Sequence, residues 1–267
     1  MMTHVRMFGR MVGLNVTMTI AYRAAFFALM VSSVIQPVVS LLVMLTIESQ
    51  GADLPFDRSQ LVTYYLLLSF VAICTGCWVG EYLAEGIRDG ELSNTLVRPV
   101  PYIYNFVTNN IGEKIVKLPL LLPILIVIAL LFRSELSLPS DPLRWIGFGI
   151  AVVFAAATAF LLDFALGSLA FWIKDVSGLF RIKDLLQGLL AGQFVPLALF
   201  PPAFAPFLEV QPFRYTLSFP LEVLAGTLDG AALVRGFAWQ IGYSVVLWLC
   251  YRVIWHYGLK SYEAVGR

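Results

Sequence analysis

The sequence predicts an all-α, polytopic membrane protein with six transmembrane helices. Composition is the first reason: 59% of the 267 residues are apolar and only 13% are charged, where a soluble domain has about 45–50% and about 25%. Mean hydropathy is the second, at +0.81. The third is that the apolar residues gather in six runs, each near the ~20 residues that cross a hydrocarbon core. Residues 1–267 read as one transmembrane domain with three additions: an amphipathic N-terminal helix, a cytosolic helix between spans two and three, and short external helices between spans five and six.

Other classes are excluded early. Acidic and basic residues nearly cancel at a net charge of +1, which argues against nucleic acid as a partner. Cys74, Cys77 and Cys250 make no disulfide framework. The CxxC at Cys74 and Cys77 lies inside an apolar run without a second CxxC, so it reads as small residues on a membrane helix. The first 23 residues lack the apolar core and small-residue site of a cleavable signal, and no cleavage is expected.

Before the first span, Thr3, Arg6, Arg10, Gly13 and Thr17 form one stripe at helical spacing, and Met7, Met11, Leu14 and Met18 form another. Such a helix lies in the headgroup plane with Arg6 and Arg10 toward lipid phosphate and water. The six spans are 24–47, 61–79, 115–132, 146–172, 185–201 and 237–255. The third accepts Lys117 near its start, and the fifth dissolves into a proline-rich stretch.

Lys and Arg set the orientation. Thirteen fall in the N-terminus, the 80–117 and 173–184 segments and the tail, against five in the other loops. Both termini are therefore expected in the cytoplasm. Most of the tryptophans, Trp78 and Trp145 among them, fall near span ends, as membrane-interface residues do.

Residues 80–114 are too long for a connector. Glu81, Glu85, Arg88, Asp89 and Glu91 crowd together, while Leu83, Ile87 and Leu92 stay apolar. This predicts a short helix with one polar side, ended by Gly90 and kept apart from span three by Pro99 and Pro101. Between 195 and 220 stand six of the 14 prolines, interleaved with phenylalanines. That segment is too apolar to leave the bilayer and too broken to span it, so short re-entrant or interfacial helices are expected.

Asp163 is the acidic residue well inside a span, nine residues or ~14 Å from Trp172. An intramembrane carboxylate marks a functional or paired position, and Lys117 at similar depth is its candidate partner. Gly76 and Gly80 form a GxxxG compatible with close helix packing. No P-loop, HExxH or GxSxG is present. No catalytic constellation, metal site or cofactor site is therefore expected in this chain.

The stretches GIRDGELSNTLVRPVPYIY (86–104), the proline-rich 196–226 and GLKSYEAVG (258–266) together resemble the permease subunits of bacterial ABC-2 type exporters. The resemblance implies a half-transporter in the bacterial cytoplasmic (inner) membrane, working with a second permease, identical or homologous. It implies two copies of a separate P-loop ATPase, which bind ATP and Mg. The 80s loop would carry a coupling helix that touches the ATPase through Glu81, Glu85, Arg88, Asp89, Gly90, Glu91, Leu92 and Arg98. The cargo expected from the apolar spans is amphipathic or lipid-like. A six-span secondary transporter or channel, or a non-transporting assembly subunit, is the alternative.

Overall fold

The computed structural model describes residues 2–21, 23–51, 54–93 and 101–262. Among these every regular element is helical: α1 (Met2–Ala21), α2 (Arg23–Ser49), α3 (Arg58–Thr75), α4 (Val79–Arg88), α5 (Ile103–Leu131), α6 (Pro142–Ser168), α7 (Ser177–Leu190), α8 (Ala205–Val210), α9 (Ser218–Ala225) and α10 (Gly230–Ser261), with single 3-10 turns between some of them.

Side-chain caps start three of the long helices. Asp57 accepts the Gln60 N–H at 2.8 Å while the Gln60 side chain accepts the Asp57 N–H at 3.0 Å, a reciprocal cap on α3. Asp141 precedes Pro142 and accepts the Leu143 N–H at 2.9 Å. Asp229 accepts the Ala232 N–H at 2.6 Å to open α10.

Four stretches among the described residues are long and apolar enough to cross a membrane: Arg58–Arg88, Ile103–Leu131, Pro142–Phe171 and Gly230–Ser261. Within α2, Ser33–Ser49 is a shorter apolar helix. Large apolar side chains such as Leu131, Val153 and Val245 point outward from these helices, as lipid-facing residues do. Two of the helices outrun the expected spans. Ile103–Leu131 begins well before 115, and Gly230–Ser261 extends on both sides of 237–255, because helical hydrogen bonding continues past the apolar run into polar residues.

The fifth expected span differs more. The helix there is Ser177–Leu190, about 21 Å long at 1.5 Å per residue. Asp175 starts it early by accepting the Ser177 N–H at 2.9 Å, and that bond holds the Asp175 carboxyl below its usual range. The chain then folds back, with the Phe194 N–H donating to the Gly188 carbonyl at 3.1 Å. Residues 197–225 form short helices and 3-10 turns, and they are anchored rather than loose. Arg214 and Glu222 pair at 2.6 Å, and Gln240 of α10 donates to the carbonyls of Ala151 and Tyr215.

Two of the hydrophobic clusters hold most of the elements around the site. One joins α2, α3, α6 and α9 through Leu41, Leu61, Tyr65, Leu68, Phe148 and Leu221. The other seats α4 through Leu83, Ile87 and Leu92 against Phe164 and Tyr251. Phe164 sits at its centre, with the rings of Phe106, Tyr251 and Trp255 at 5.5, 5.0 and 5.9 Å. Where lipid surrounds the bundle, such close ring packing and not water exclusion holds helices together.

Helix α1 lies along α5. Asn15 donates to Thr108 at 3.3 Å, and a Cβ on Gly112 would come within 2.9 Å of Asn15. Arg6 and Arg10 are exposed. The apolar stripe is divided: Met7 and Met11 are half-buried, whereas Leu14 and Met18 stay 56% and 55% exposed. The helix thus has a packed face, a free apolar face and a charged face.

Candidate functional site

Between α3 and α4 the helix stops for residues 76–78. Gly76 keeps its N–H on the Ala72 carbonyl at 2.8 Å but turns to an extended ψ of 135°. Its own carbonyl and the first N–H groups of α4 are then left without helical partners. Inside a membrane protein such groups need replacements. Lys114 Nζ donates to the Gly76 carbonyl at 3.0 Å and also to Asn110 Oδ1. On the other side of the break, the Gly80 N–H donates to Asp163 Oδ2 at 2.8 Å.

Two glycines make that second contact possible. A Cβ on Gly80 would stand 2.3 Å from the Asp163 carbonyl oxygen, and one on Gly167 would stand 2.4 Å from the Gly80 oxygen. The close approach is thus Gly80 with Gly167 across α4 and α6. Gly76 instead ends α3.

Asp163 is 2% exposed, and its second oxygen meets Lys183 Nζ of α7 at 2.9 Å. Lys183 also reaches Asp184 at 3.0 Å. The expected pairing with Lys117 is corrected here: Lys117 pairs with Glu113, one turn earlier on α5. The run of charge around Lys183 breaks the apolar pattern and places it in a loop by sequence alone. Asp175, which accepts the Ser177 N–H at the start of α7, is the local signal for a helix that includes Lys183.

These groups surround a cavity of about 520 Å³. Its polar wall includes Gln36, Lys114, Lys117, Asp163 and Lys183, and its apolar wall includes Ile73, Trp78, Leu162 and Leu217. Trp78 therefore faces this cavity. The interior expected to be apolar and aromatic holds a charged chamber. Among the described residues no group of three His, Cys, Asp or Glu side chains is placed to hold a metal ion.

The residues expected to touch an ATPase divide into two groups. On α4 the polar side is Glu81, Tyr82, Glu85 and Arg88, followed by Asp89 and Glu91, all exposed. Arg88 lies 3.1 Å from Asp89 and 3.8 Å from Glu85. Gly90 follows with φ 79°, the left-handed conformation that ends a helix and that a Cβ disfavours. Glu81 also lines the cavity, so one helix joins its charged ridge to the chamber. Leu92 is fully buried. It anchors the turn to the bundle and is not available to a partner, which corrects its place in the contact set. Arg98 lies outside the described residues.

No curated protein and no solved structure was found to match the chain. A family model described as ABC-2 family transporter protein matches residues 34–266. That match takes in α3 to α10, the glycine contact, the cavity and the short helices, and the chain belongs to the ABC-2 family of membrane transporter proteins.

Proposed function

We propose that this chain is the permease half of an ATP-driven exporter, taking its work from a separate P-loop ATPase through the exposed face of α4. The observation that carries the reading is the build of α4 itself. Glu85, Arg88 and Asp89 face outward, while Leu83 and Ile87 lock the other face into the bundle. Such a helix moves as one piece with the spans when it is pushed. Its first turn holds Asp163 through Gly80, so a push at the ridge reaches the cavity within ten residues. Closure of two ATPases on ATP and Mg would supply the push, and two packed arrangements of the helices would convert it into opening and closing.

In this reading the chain crosses the cytoplasmic membrane six times, with both termini in the cytosol. Helix α7 and the turns after it make the fifth crossing, and the short helices of 197–225 cap the outer end. Helix α1 rests on the inner leaflet, with Arg6 and Arg10 toward phosphate. A second permease, identical or homologous, completes the pathway for an amphipathic cargo. The test is purification of the solubilised protein from its native host. A stoichiometric P-loop ATPase in the complex supports the exporter. A protein that purifies alone favours the second reading, a six-span secondary transporter, to which the buried ionisable groups around the cavity are also suited.

A further inference from the structure

The charges around the cavity do not cancel where they are least exposed. Lys183 lies between Asp163 and Asp184, and Lys117 lies on Glu113. Among the described residues, Lys114 donates to neutral oxygens, the Gly76 carbonyl and Asn110 Oδ1. An ammonium group has three N–H donors, so one donor is left over, and no carboxylate among the described residues bonds this ammonium directly. Glu81 and Asp184, the other acids at the cavity, are exposed at its rim. The inner part therefore carries one more cation than anion, and that excess sits on Lys114. Beside it are the apolar surfaces of Ile73, Trp78, Leu162 and Leu217.

We propose that the cavity binds the anionic group, carboxylate or phosphate, of a single-chain amphiphile, with Lys114 as its cationic contact and the apolar wall receiving the chain. A half-buried cation without a bonded counter-charge is less well solvated than one in water, and an anion brought by the ligand offsets that cost with a charge-assisted hydrogen bond. A neutral amphiphile gains only the wall. The permease reading is needed solely to regard this ligand as cargo.

Trp78 provides the readout, because bromine quenches indole fluorescence on contact. The full chain in neutral maltoside micelles is titrated with ω-bromododecanoate, ω-bromododecyl phosphate and ω-bromododecanol. The expected result is saturable quenching by at least one of the two anions, lost in Trp78→Phe. The anion that saturates identifies the headgroup as carboxylate or phosphate. Lys114→Gln, which keeps an N–H for the Gly76 carbonyl, should weaken anion binding about tenfold or more. Lys114→Arg should retain it. An alcohol that binds as tightly as the anions, an unchanged affinity in Lys114→Gln, or saturable quenching that persists in Trp78→Phe would each overturn the proposal. No ATPase or nucleotide is present, so failure here counts against the anion site alone, and failure to co-purify an ATPase counts against the permease reading.

Discussion

The carboxylate of Asp163 accepts the backbone N–H of Gly80 at 2.8 Å, so an acid buried in α6 caps the first turn of α4. A negative group at a helix N-terminus is favoured by the helix dipole and by the unpaired N–H groups there. The same carboxylate holds Lys183 at 2.9 Å. One side chain thus ties together three helices around the cavity, and its replacement should be felt in all of them.

Breaking a buried pair from one side leaves an uncompensated charge and costs about 3–5 kcal/mol. Asp163→Ala, which also strands the Gly80 N–H, is expected to lower the midpoint of thermal unfolding more than Asp163→Asn. Lys183→Met should recover part of the loss in the Asp163→Asn background, and Lys117→Met should recover none. Tryptophan fluorescence of the purified variants measures this. Rescue by Lys117→Met instead would contradict the assigned partner.

Gly167 allows α6 to touch α4. Gly167→Ala places a methyl 2.4 Å from the Gly80 oxygen, and overpacking of this kind costs about 1–3 kcal/mol. Gly149, on the same helix, has nothing within 4 Å of its added Cβ. Gly149→Ala should therefore leave the unfolding midpoint unchanged or raise it through helix propensity. Equal effects at the two positions would argue against the close contact.

Gly90 has φ 79°. Gly90→Val should cost about 1–2 kcal/mol for the left-handed conformation and loosen the end of α4 next to its charged ridge. Gly90→Asn, whose side chain tolerates that region, should lose much less. Limited proteolysis near residue 90 is the measurement, with faster cleavage expected in the valine variant alone.

Topology is open to labelling of single cysteines in a Cys-free background. Phe207, 55% exposed on α8, should react as cysteine with an impermeant maleimide added to intact cells. Cysteine at Glu85 should react only after the membrane is opened. The reverse pattern would invert the orientation.

Much of the architecture was legible because lipid solvation writes itself into composition. The polar and apolar sides of α4 follow directly from Glu81, Leu83, Glu85, Ile87 and Arg88, and Gly90 stands where a left-handed residue ends it. The proline-rich 196–220 stretch became short helices, since proline removes the N–H that a longer one requires. The ionic pairs were not legible. Lys114, Lys117 and Lys183 counted toward the basic bias of the cytoplasmic loops, yet all three line the cavity. A charge run looks the same whether it faces water or an internal chamber. The choice between Lys117 and Lys183 as partner of Asp163 depends on how α5 and α7 pack against α6, which no local pattern encodes. The break at 76–78 lacks proline, and its stability comes from Lys114 and Asp163, which are distant in the chain.

Site-directed cross-linking asks whether the outward face of α4 receives the force of ATP closure, as proposed above. Cysteine is placed singly at Glu85, exposed on that face, or at Leu92, fully buried, in a Cys-free chain purified with its ATPase. A short bifunctional reagent should join position 85 to the ATPase subunit, more strongly with ATP bound, and leave position 92 unlinked. A complex that contains the ATPase but cross-links from neither position, or equally from both, would contradict the account.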